Sequence, residues 1–262
     1  MVSSQGSNDF FASVAGYEQF MGRYARPLAV EFVATVPLAN GNSVLDIGCG
    51  PGALTAELVA KVGAESVSVI DPSPPFLQYC AAQYPGITAE VAKAEQIPFA
   101  DASFDAVLSQ LVIHFIGDLE QAGREIVRVT KPGGWVSVCT WNIDRMQKIN
   151  MLPRAASAAG IEVPTIRVEA FGENGDVSAY LESIGLADVK ESTISVSSTY
   201  HDFEELWSAY LVSIGPLGPW TVSQSNEAKA AIKRALFQII DEPEGEFSLS
   251  AEARVATGRT PG

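Results

Sequence analysis

Cysteine is scarce in this sequence, and the three cysteines, Cys49, Cys80 and Cys139, lie far apart along the chain. A disulfide framework needs closely spaced cysteines, and a zinc site needs cysteines or histidines at short, regular spacings. The three cysteines of this chain have no such spacing. We therefore expect neither a disulfide scaffold nor a bound metal ion.

Basic residues are also few. The chain has 17 Lys and Arg against 31 Asp and Glu, a formal net charge of −14, and its basic residues are dispersed. A nucleic-acid surface needs clustered positive charge to neutralise phosphates, so we expect no nucleic-acid partner. The acidity itself is interpreted as a contribution to solubility.

Long apolar runs are absent, although 47% of the residues are apolar. No stretch approaches the roughly 18 uninterrupted apolar residues of a membrane-spanning helix. The first ten residues, MVSSQGSNDF, lack the basic start and apolar centre of a secretory signal. We expect a cytoplasmic protein without a membrane partner, and the sequence does not indicate its oligomeric state.

Short β-branched runs alternate with amphipathic segments from Ser43 to Cys139. This alternation predicts an α/β fold, a doubly wound and mostly parallel sheet covered by helices on both faces. Five strands are predicted there, at residues 43–47, 66–71, 87–91, 104–109 and 134–139. Helices are predicted to begin at Ala53 and to run from Asp118 to Val129, with Asp118 as N-cap.

The flanking regions add further elements. A helix is predicted over residues 20–36, after a segment that contains the aromatic residues Phe10, Phe11, Tyr17 and Phe20. Residues 141–173 show no regular pattern. Beyond them the pattern predicts a helix at Asp176–Ile184, a strand at Lys190–Ser197 and helices at 203–213 and 224–239. A last strand is predicted at Phe247–Thr257, closing the sheet as an antiparallel neighbour of the preceding strand.

The strongest local signal is Val44-Leu45-Asp46-Ile47-Gly48-Cys49-Gly50-Pro51-Gly52, in which a buried strand leads into a glycine-rich turn and a helix. Glycine lets the chain turn sharply and lets a ligand lie on backbone atoms, while the helix start offers N–H groups. A small ligand with a carboxylate suits this place. The alternative is that the glycines only allow close packing of helix and sheet.

Two later segments extend this pattern. Asp71 ends the second strand, where a carboxylate can accept both hydroxyl protons of a ribose, or can simply cap the following turn. The loop AEQIPFADASFD could hold a nucleobase through the backbone N–H groups of Ala94 and Glu95.

Taken in order, VLDIGCGPG, VIDPS, AEQIPFADASFD and REIVRVTKPGGWV resemble the motifs of class I S-adenosylmethionine-dependent methyltransferases, in the ubiquinone/menaquinone-methyltransferase-like branch. The resemblance covers roughly residues 15–142. It implies a Rossmann-like sheet of seven strands in a single domain of residues 1–262, with a helical cap at 1–40, a cofactor-binding core at 41–142 and a substrate-side part at 143–262. That last part would carry a helical insertion at about 200–245, before the last strand.

The resemblance also implies a cofactor, S-adenosyl-L-methionine, and the residues around it. The methionine end would lie against Asp46, Gly48, Cys49 and Gly50. The ribose would be held by Asp71 with Pro72 and Ser73, the adenine would border Ala94 and Glu95, and the sulfonium region would lie near Ser109 and Gln110. Tyr17 and Arg23 would help to close the pocket.

The sequence departs from the pattern of this family at one position. Many relatives carry an acidic residue before the Ala-Glu pair to accept the adenine amino group, and this chain has Lys93, which cannot accept a hydrogen bond. Glu95 is a possible substitute.

His114 is the candidate catalytic residue, because it is the titratable group near the end of the fourth strand that could take a proton at neutral pH. Its position in an apolar run is more typical of a hydrogen-bonded packing residue. In the insertion, a set of aromatic residues could form a lid over an apolar acceptor or an ordinary helix-packing core: Trp207, Tyr210, Trp220 and Phe237.

Methyl transfer to a small-molecule acceptor is the predicted reaction. Two alternatives stay open: an NAD(P)-dependent oxidoreductase, since Gly48-Cys49-Gly50 followed by Asp71 loosely satisfies the dinucleotide fingerprint, and a non-catalytic protein that binds an adenosyl ligand.

Overall fold

The computed structural model describes residues 14–164, 171–213 and 217–262. The predictions for Phe10 and Phe11 therefore lie outside the described residues. The described strands form one seven-stranded sheet: β1 (Val44–Ile47), β2 (Val67–Asp71), β3 (Thr88–Val91), β4 (Phe104–Gln110), β5 (Thr130–Asn142), β6 (Ala187–Tyr200) and β7 (Phe247–Arg259).

Helices connect and flank these strands. They are α1 (Arg23–Val33), α2 (Ala53–Val62), α3 (Pro74–Gln83), α4 (Leu119–Val129), α5 (Gln147–Ala158), α6 (Asp176–Ser183), α7 (Phe203–Tyr210), α8 (Gly218–Ser223) and α9 (Asn226–Ile239). Shorter helical turns lie at Val14–Tyr17, Glu18–Gly22, Ala64–Ser66, Ile113–Phe115 and Ile143–Arg145.

The strand order is β3-β2-β1-β4-β5-β7-β6. Strand β1 pairs in parallel with β2 on one side and with β4 on the other, with Val44 opposite both Val67 and Ala106. The order of connection therefore reverses beside β1. In doubly wound sheets a ligand crevice lies at this reversal, outside the carboxyl ends of the strands.

Strand β7 is antiparallel to β5. Thr260 N donates to Gly134 O and Asn142 Nδ2 donates to Glu252 Oε1, two contacts that share one register. The predicted pairing of the last strand with the strand before it in the sequence is confirmed, because β7 and β6 are neighbours in the sheet. Strand β7 lies between β5 and β6, so β6 is the edge strand.

The predicted boundaries of the helices that follow β1 and β4 agree closely with those of α2 and α4. Asp118 is the N-cap of α4, since its Oδ1 accepts the N–H of Gln121 at 2.9 Å. The face of α2 that was expected to cover the sheet, Leu54, Leu58 and Val62, is buried.

The segment 141–173 is not irregular throughout, as its pattern suggested, because it contains α5. Pro153 interrupts the sequence inside this helix, and a proline usually indicates a helix end because it lacks the N–H donor. The buried face of α5 nevertheless has helical spacing: Lys148, Ile149, Leu152, Ala155 and Ala156. The helix predicted over 20–36 is also shorter: α1 ends at Val33 and follows a π-helical turn at Glu18–Gly22.

The chain divides into two compact units. Of the described residues, 25–141, 171–194 and 253–262 form the sheet unit, and 14–24, 142–164, 195–213 and 217–252 form the helical unit. The core of the sheet unit lies between the strands and helices α4 and α6, and includes Leu45, Ile47, Val107, Ile126, Val138 and Leu181.

The core of the helical unit forms where α5 and α9 pack together with α7. The four aromatic residues that the sequence offered as a lid all belong to it: Trp207 and Tyr210 are buried, and Trp220 and Phe237 pack against it half-buried. These contacts support the interpretation of the four residues as a helix-packing core.

Lys148 on α5 is fully buried in the helical unit. Its Nζ donates to the carbonyl oxygen of Phe20 at 2.7 Å and lies 4.3 Å from the centre of the Phe20 ring. Burial lowers the pKa of this amine from 10.5 to about 7, with Arg23 adding to the effect and Glu205 opposing it.

Replacing Lys148 with methionine is expected to stabilise the protein near pH 6.5. The unfolded chain binds a proton on Lys148 up to about pH 10.5, whereas the folded chain releases it from about pH 7. Wild-type stability should therefore rise with pH across this window, and K148M should remove that rise. The expected gain at pH 6.5 is on the order of 1–3 kcal/mol, because the cost of burying the charge exceeds the lost hydrogen bond.

Chemical denaturation at pH 6.5, 8 and 10 measures this effect. The matched control is Lys233→Met on α9, since Lys233 is half-buried and forms an ion pair with Glu204. A pH dependence of unfolding that is identical in wild type and K148M would contradict the assignment.

Candidate active site

The glycine-rich turn directly follows β1 and is held by β2. The backbone N–H groups of Gly48 and Cys49 both donate to Ile70 O, at 2.8 and 3.1 Å. Gly48, Gly50 and Gly52 have φ angles of 73°, 51° and 96°. Left-handed backbone of this kind favours glycine, so the sequence pattern follows from the shape of the turn.

The glycines differ in what surrounds them. A Cβ on Gly48 would come within 2.4 Å of Val112, and one on Gly52 within 2.9 Å of Tyr84, whereas one on Gly50 would meet no atom of the described residues within 4 Å. Close packing, the alternative weighed for this motif, therefore explains Gly48 and Gly52. It does not explain Gly50, which borders open space.

Asp46 on β1 is buried beneath this turn, at 1% exposure. Its Oδ2 accepts the hydroxyl of Thr55 at 2.7 Å, and its Oδ1 has no hydrogen-bond partner among the described residues. Burial raises the pKa of Asp46 to about 7, Thr55 opposes this rise, and Asp71 adds to it. A cationic ligand group would supply both the missing partner and a compensating charge.

Asp71 lies at the end of β2 and ties the turn to this strand. Its Oδ2 accepts the N–H of Gly50 at 2.8 Å, and its Oδ1 accepts that of Ser73 at 2.7 Å. Burial raises the pKa of this carboxyl, and the two backbone donors lower it. Each carboxylate oxygen has a second acceptor site, so capping the turn at Ser73 leaves Asp71 able to accept ribose hydroxyls. Pro72 beside it is exposed.

Cys49 contributes a neutral thiol to the turn. Its hydrogen bond to Cys80 and its burial both raise the pKa of the Cys49 thiol. Cys80 in turn donates to Thr55 Oγ1 at 3.5 Å, so the thiols extend the hydrogen-bonded chain that ends at Asp46. These contacts support a structural role for both cysteines within the site.

The end of β4 brings two predicted residues to the same edge. Ser109 is buried and its hydroxyl donates to Ile47 O at 3.2 Å, which fastens β4 to β1. Gln110 donates from Nε2 to Ala25 O at 3.0 Å, and its Oε1 is buried without a partner among the described residues. Leu111 follows with a φ of 64°, a strained conformation for a residue with a side chain.

Glu95 ties the loop after β3 to the segment before α4. Its Oε1 accepts the N–H groups of Gly117 at 3.0 Å and Asp118 at 3.4 Å. The oxygen proposed as a substitute for the missing adenine acceptor is thus already engaged in the loop before α4. Ala94 beside it is buried, and Lys93 is exposed.

His114 lies in the helical turn Ile113–Phe115. Its Nε2 shares a hydrogen bond with Thr140 Oγ1 on β5, and its ring packs edge-on against Phe171 with the ring centres 5.9 Å apart. These are contacts of a packing residue, and they also hold the imidazole in a fixed orientation at the carboxyl edge of the sheet.

Changing His114 to alanine is expected mainly to lower stability. The variant loses a hydrogen bond and an aromatic contact, together about 1–2 kcal/mol, which corresponds to a melting temperature lower by roughly 3–6 °C. Thermal melting and turnover are measured side by side, with His201→Ala as control because His201 is exposed. A large loss of turnover at unchanged melting temperature would instead assign His114 to catalysis.

Tyr17 and Arg23 belong to the helical unit. Arg23 donates from Nη2 to Thr199 O and to Glu205, at 2.7 and 2.8 Å, and its guanidinium lies 3.9 Å from the centre of the Tyr200 ring. Their role as pocket-closing residues stays a prediction.

Three buried polar residues were not identified from the sequence. Thr55 orients Asp46, Lys148 lies in a segment that was interpreted as irregular, and Arg254 is buried in β7 at 5% exposure. Only Arg254 had a visible signal, a charged residue inside the apolar run Ala253-Arg254-Val255-Ala256.

The described residues contain neither a membrane-spanning helix nor a metal-binding cluster. None of their helices has the length and apolar character of a membrane span. No group of three or more His, Cys, Asp or Glu side chains in this part of the chain could hold a metal ion.

Comparison with known proteins agrees with this geometry. Residues 45–138 match the family described as "Methyltransferase domain". The chain is 38% identical over 136 residues to an uncharacterized methyltransferase of Mycobacterium tuberculosis, covering 52% of this chain and 53% of that protein. It is 31% identical over 150 residues to malonyl-[acyl-carrier protein] O-methyltransferase of Erwinia billingiae, covering 57% and 59%. The matches thus span about half the length of these curated relatives.

Solved structures share the fold at low identity. The YcgJ protein of Bacillus subtilis superposes with a TM-score of 0.55 at 16% identity, over 91% of this chain and 99% of that one. Phosphoethanolamine N-methyltransferase 2 of Haemonchus contortus, in complex with S-adenosyl-L-methionine, gives 0.58 at 17% identity, over 100% and 61%. Turn, sheet order and family match together identify residues 45–138 as a methyltransferase domain of class I, the class that uses S-adenosylmethionine.

Proposed function

We propose that this protein transfers a methyl group from S-adenosyl-L-methionine to a small-molecule acceptor. The observation that carries the proposal is the set of buried acceptors beside the open turn. Asp46 Oδ1 and Gln110 Oε1 both lack partners among the described residues, and Gly50 borders free space. An amino acid with an ammonium group and a positive sulfonium matches such a site in charge.

The residues fit this cofactor as follows. The turn at Gly48–Gly50 would receive its methionine part, Asp46 and Gln110 would supply acceptors, and Asp71 would accept from the ribose. When bound, the cofactor supplies a methyl group on a positively charged sulfur. The chain itself contributes orientation and the exclusion of water, which can account for ~7–11 kcal/mol of barrier reduction in a well-positioned transfer.

An NAD(P)-dependent oxidoreductase is the less favoured function. A dinucleotide would place its negatively charged pyrophosphate on this turn. Asp46 is buried beneath the turn and would repel this charge, whereas it attracts the cationic sulfonium compound.

Ligand binding and turnover test the proposal together. We expect S-adenosylhomocysteine to raise the melting temperature and NADH to leave it unchanged. Labelled methyl groups should then appear in at least one acceptor of a broad small-molecule panel. A shift with NADH alone would favour the oxidoreductase, and binding of S-adenosylhomocysteine without transfer to any acceptor would favour a non-catalytic ligand-binding protein.

A further inference from the structure

Arg254 is a buried cation in the sheet unit that the cofactor does not account for. It lies on β7 at 5% exposure. Its Nε donates to Asn174 Oδ1 and its Nη1 donates to Phe171 O, both at 3.1 Å. Both partners are neutral, and within the described residues Arg254 forms no ion pair with a carboxylate.

Among the described residues, this arrangement leaves the positive charge of Arg254 without a carboxylate partner. A guanidinium stays charged at any physiological pH, and burying a charge is costly unless an opposite charge accompanies it. Nη2 makes no hydrogen bond to any described residue. The edge formed by Nη1 and Nη2 can therefore still receive an anion in the forked geometry that arginine favours.

The register of the sheet places a hydroxyl-bearing residue beside Arg254. The pairs Gly134–Thr260 and Asn142–Glu252 share one antiparallel register of β5 against β7. In this register, Thr140 on β5 lies directly opposite Arg254 on β7. Side chains of opposite residues in an antiparallel pair lie about 4.5–5.5 Å apart at Cβ. Thr140 is fully buried and already bonded to His114.

Phe171 belongs to the same cluster as Arg254, Thr140 and His114, although it lies outside β5 and β7. Its carbonyl oxygen accepts from Arg254, its ring packs against His114, and its φ of 62° is strained for a residue with a side chain. Thr140 lies near the carboxyl end of β5, which is parallel to β4 and β1. The cluster therefore lies at the sheet edge that also carries the glycine-rich turn.

We propose that Arg254 and Thr140 form an anion subsite that holds a carboxylate of the methyl acceptor. This assignment rests on the proposed function. One guanidinium balances the single charge of a carboxylate, and the hydroxyl adds a hydrogen-bonding group. A phosphate dianion would leave excess negative charge in a chain whose net charge is already −14.

Titration with benzoate, with its neutral analogue benzamide as control, tests the subsite. The Nε–H signal of Arg254 is followed by NMR in protein labelled with ¹⁵N-arginine, with and without saturating S-adenosylhomocysteine. Benzoate should shift this signal saturably, and benzamide should not. Inorganic phosphate at matched ionic strength should bind more weakly than benzoate.

Variants locate the effect. R254Q and R254K should weaken benzoate binding at least about tenfold, because one loses the charge and the other loses the fork. T140V leaves the guanidinium in place and should weaken binding about threefold to tenfold, as expected for the loss of one hydrogen bond. Arg259→Gln is the matched control, since Arg259 lies on the same strand, is exposed and bonds to Gly133 O.

The outcomes separate this proposal from the proposed function. The affinity for S-adenosylhomocysteine should be the same in the wild type and in all four variants. If the wild type does not bind S-adenosylhomocysteine, the methyltransferase function alone is overturned. Equal binding of benzoate and benzamide, unchanged benzoate affinity in folded R254K and T140V, or tighter binding of phosphate would each overturn the carboxylate subsite.

Discussion

Replacing Asp71 with alanine is expected to weaken the binding of S-adenosylhomocysteine at least about a hundredfold, because hydrogen bonds to a charged group contribute about 1.5–3 kcal/mol each. The carboxylate ends β2 and would accept from the ribose. It also holds Gly50 and Ser73 through their N–H groups. Isothermal calorimetry on the purified variant measures the affinity, and thermal melting shows whether the fold persists.

Two further variants sharpen this experiment. D71N keeps the shape and one acceptor oxygen, so it should retain more of the turn geometry than D71A while still binding weakly. Asp105→Asn is the control, because Asp105 pairs with Lys131 near the opposite end of β4. Full affinity in a folded D71A protein would show that Asp71 serves only the turn.

Alanine substitutions at three glycines should separate folding from ligand binding. At Gly48 a Cβ would overlap Val112 at 2.4 Å, so G48A should lower the melting temperature by roughly 10 °C or prevent folding. At Gly50 the Cβ meets open space, so the variant should melt only a few degrees lower, for a backbone cost of about 1 kcal/mol. Because that space is where the ligand is proposed to lie, G50A should weaken S-adenosylhomocysteine binding by about thirtyfold or more.

Gly41 supplies the matched control. It also has a positive φ, of 81°, and its Cβ would likewise meet nothing within 4 Å, but it lies in the loop before β1. G41A should therefore show the same small loss of stability as G50A and full affinity for the ligand. Equal affinities in G41A and G50A would mean that the space at Gly50 is not the cofactor site.

Local patterns of the sequence were enough to predict the strands that carry the site. The runs around Asp46, Asp71 and Ser109 were placed within one or two residues of β1, β2 and β4. Parallel strands buried on both faces are continuous apolar runs bounded by turn residues, and this signal needs no tertiary information. Local patterns did not predict α5, because Pro153 is a residue that usually indicates a helix end. Only the packing of α5 against α9 shows that the helix continues through it.

By itself the sequence determined the doubly wound sheet, the glycine-rich turn after β1 and the carboxylate at the end of β2, because backbone conformation and hydrophobic period are local properties. Only the tertiary structure decided which glycine borders open space, which oxygens of Asp46 and Gln110 lack partners in the described part of the chain, and that Thr140 faces Arg254. Those facts depend on residues far apart in the chain, whose contacts are set by strand order and register and cannot be seen in any single segment.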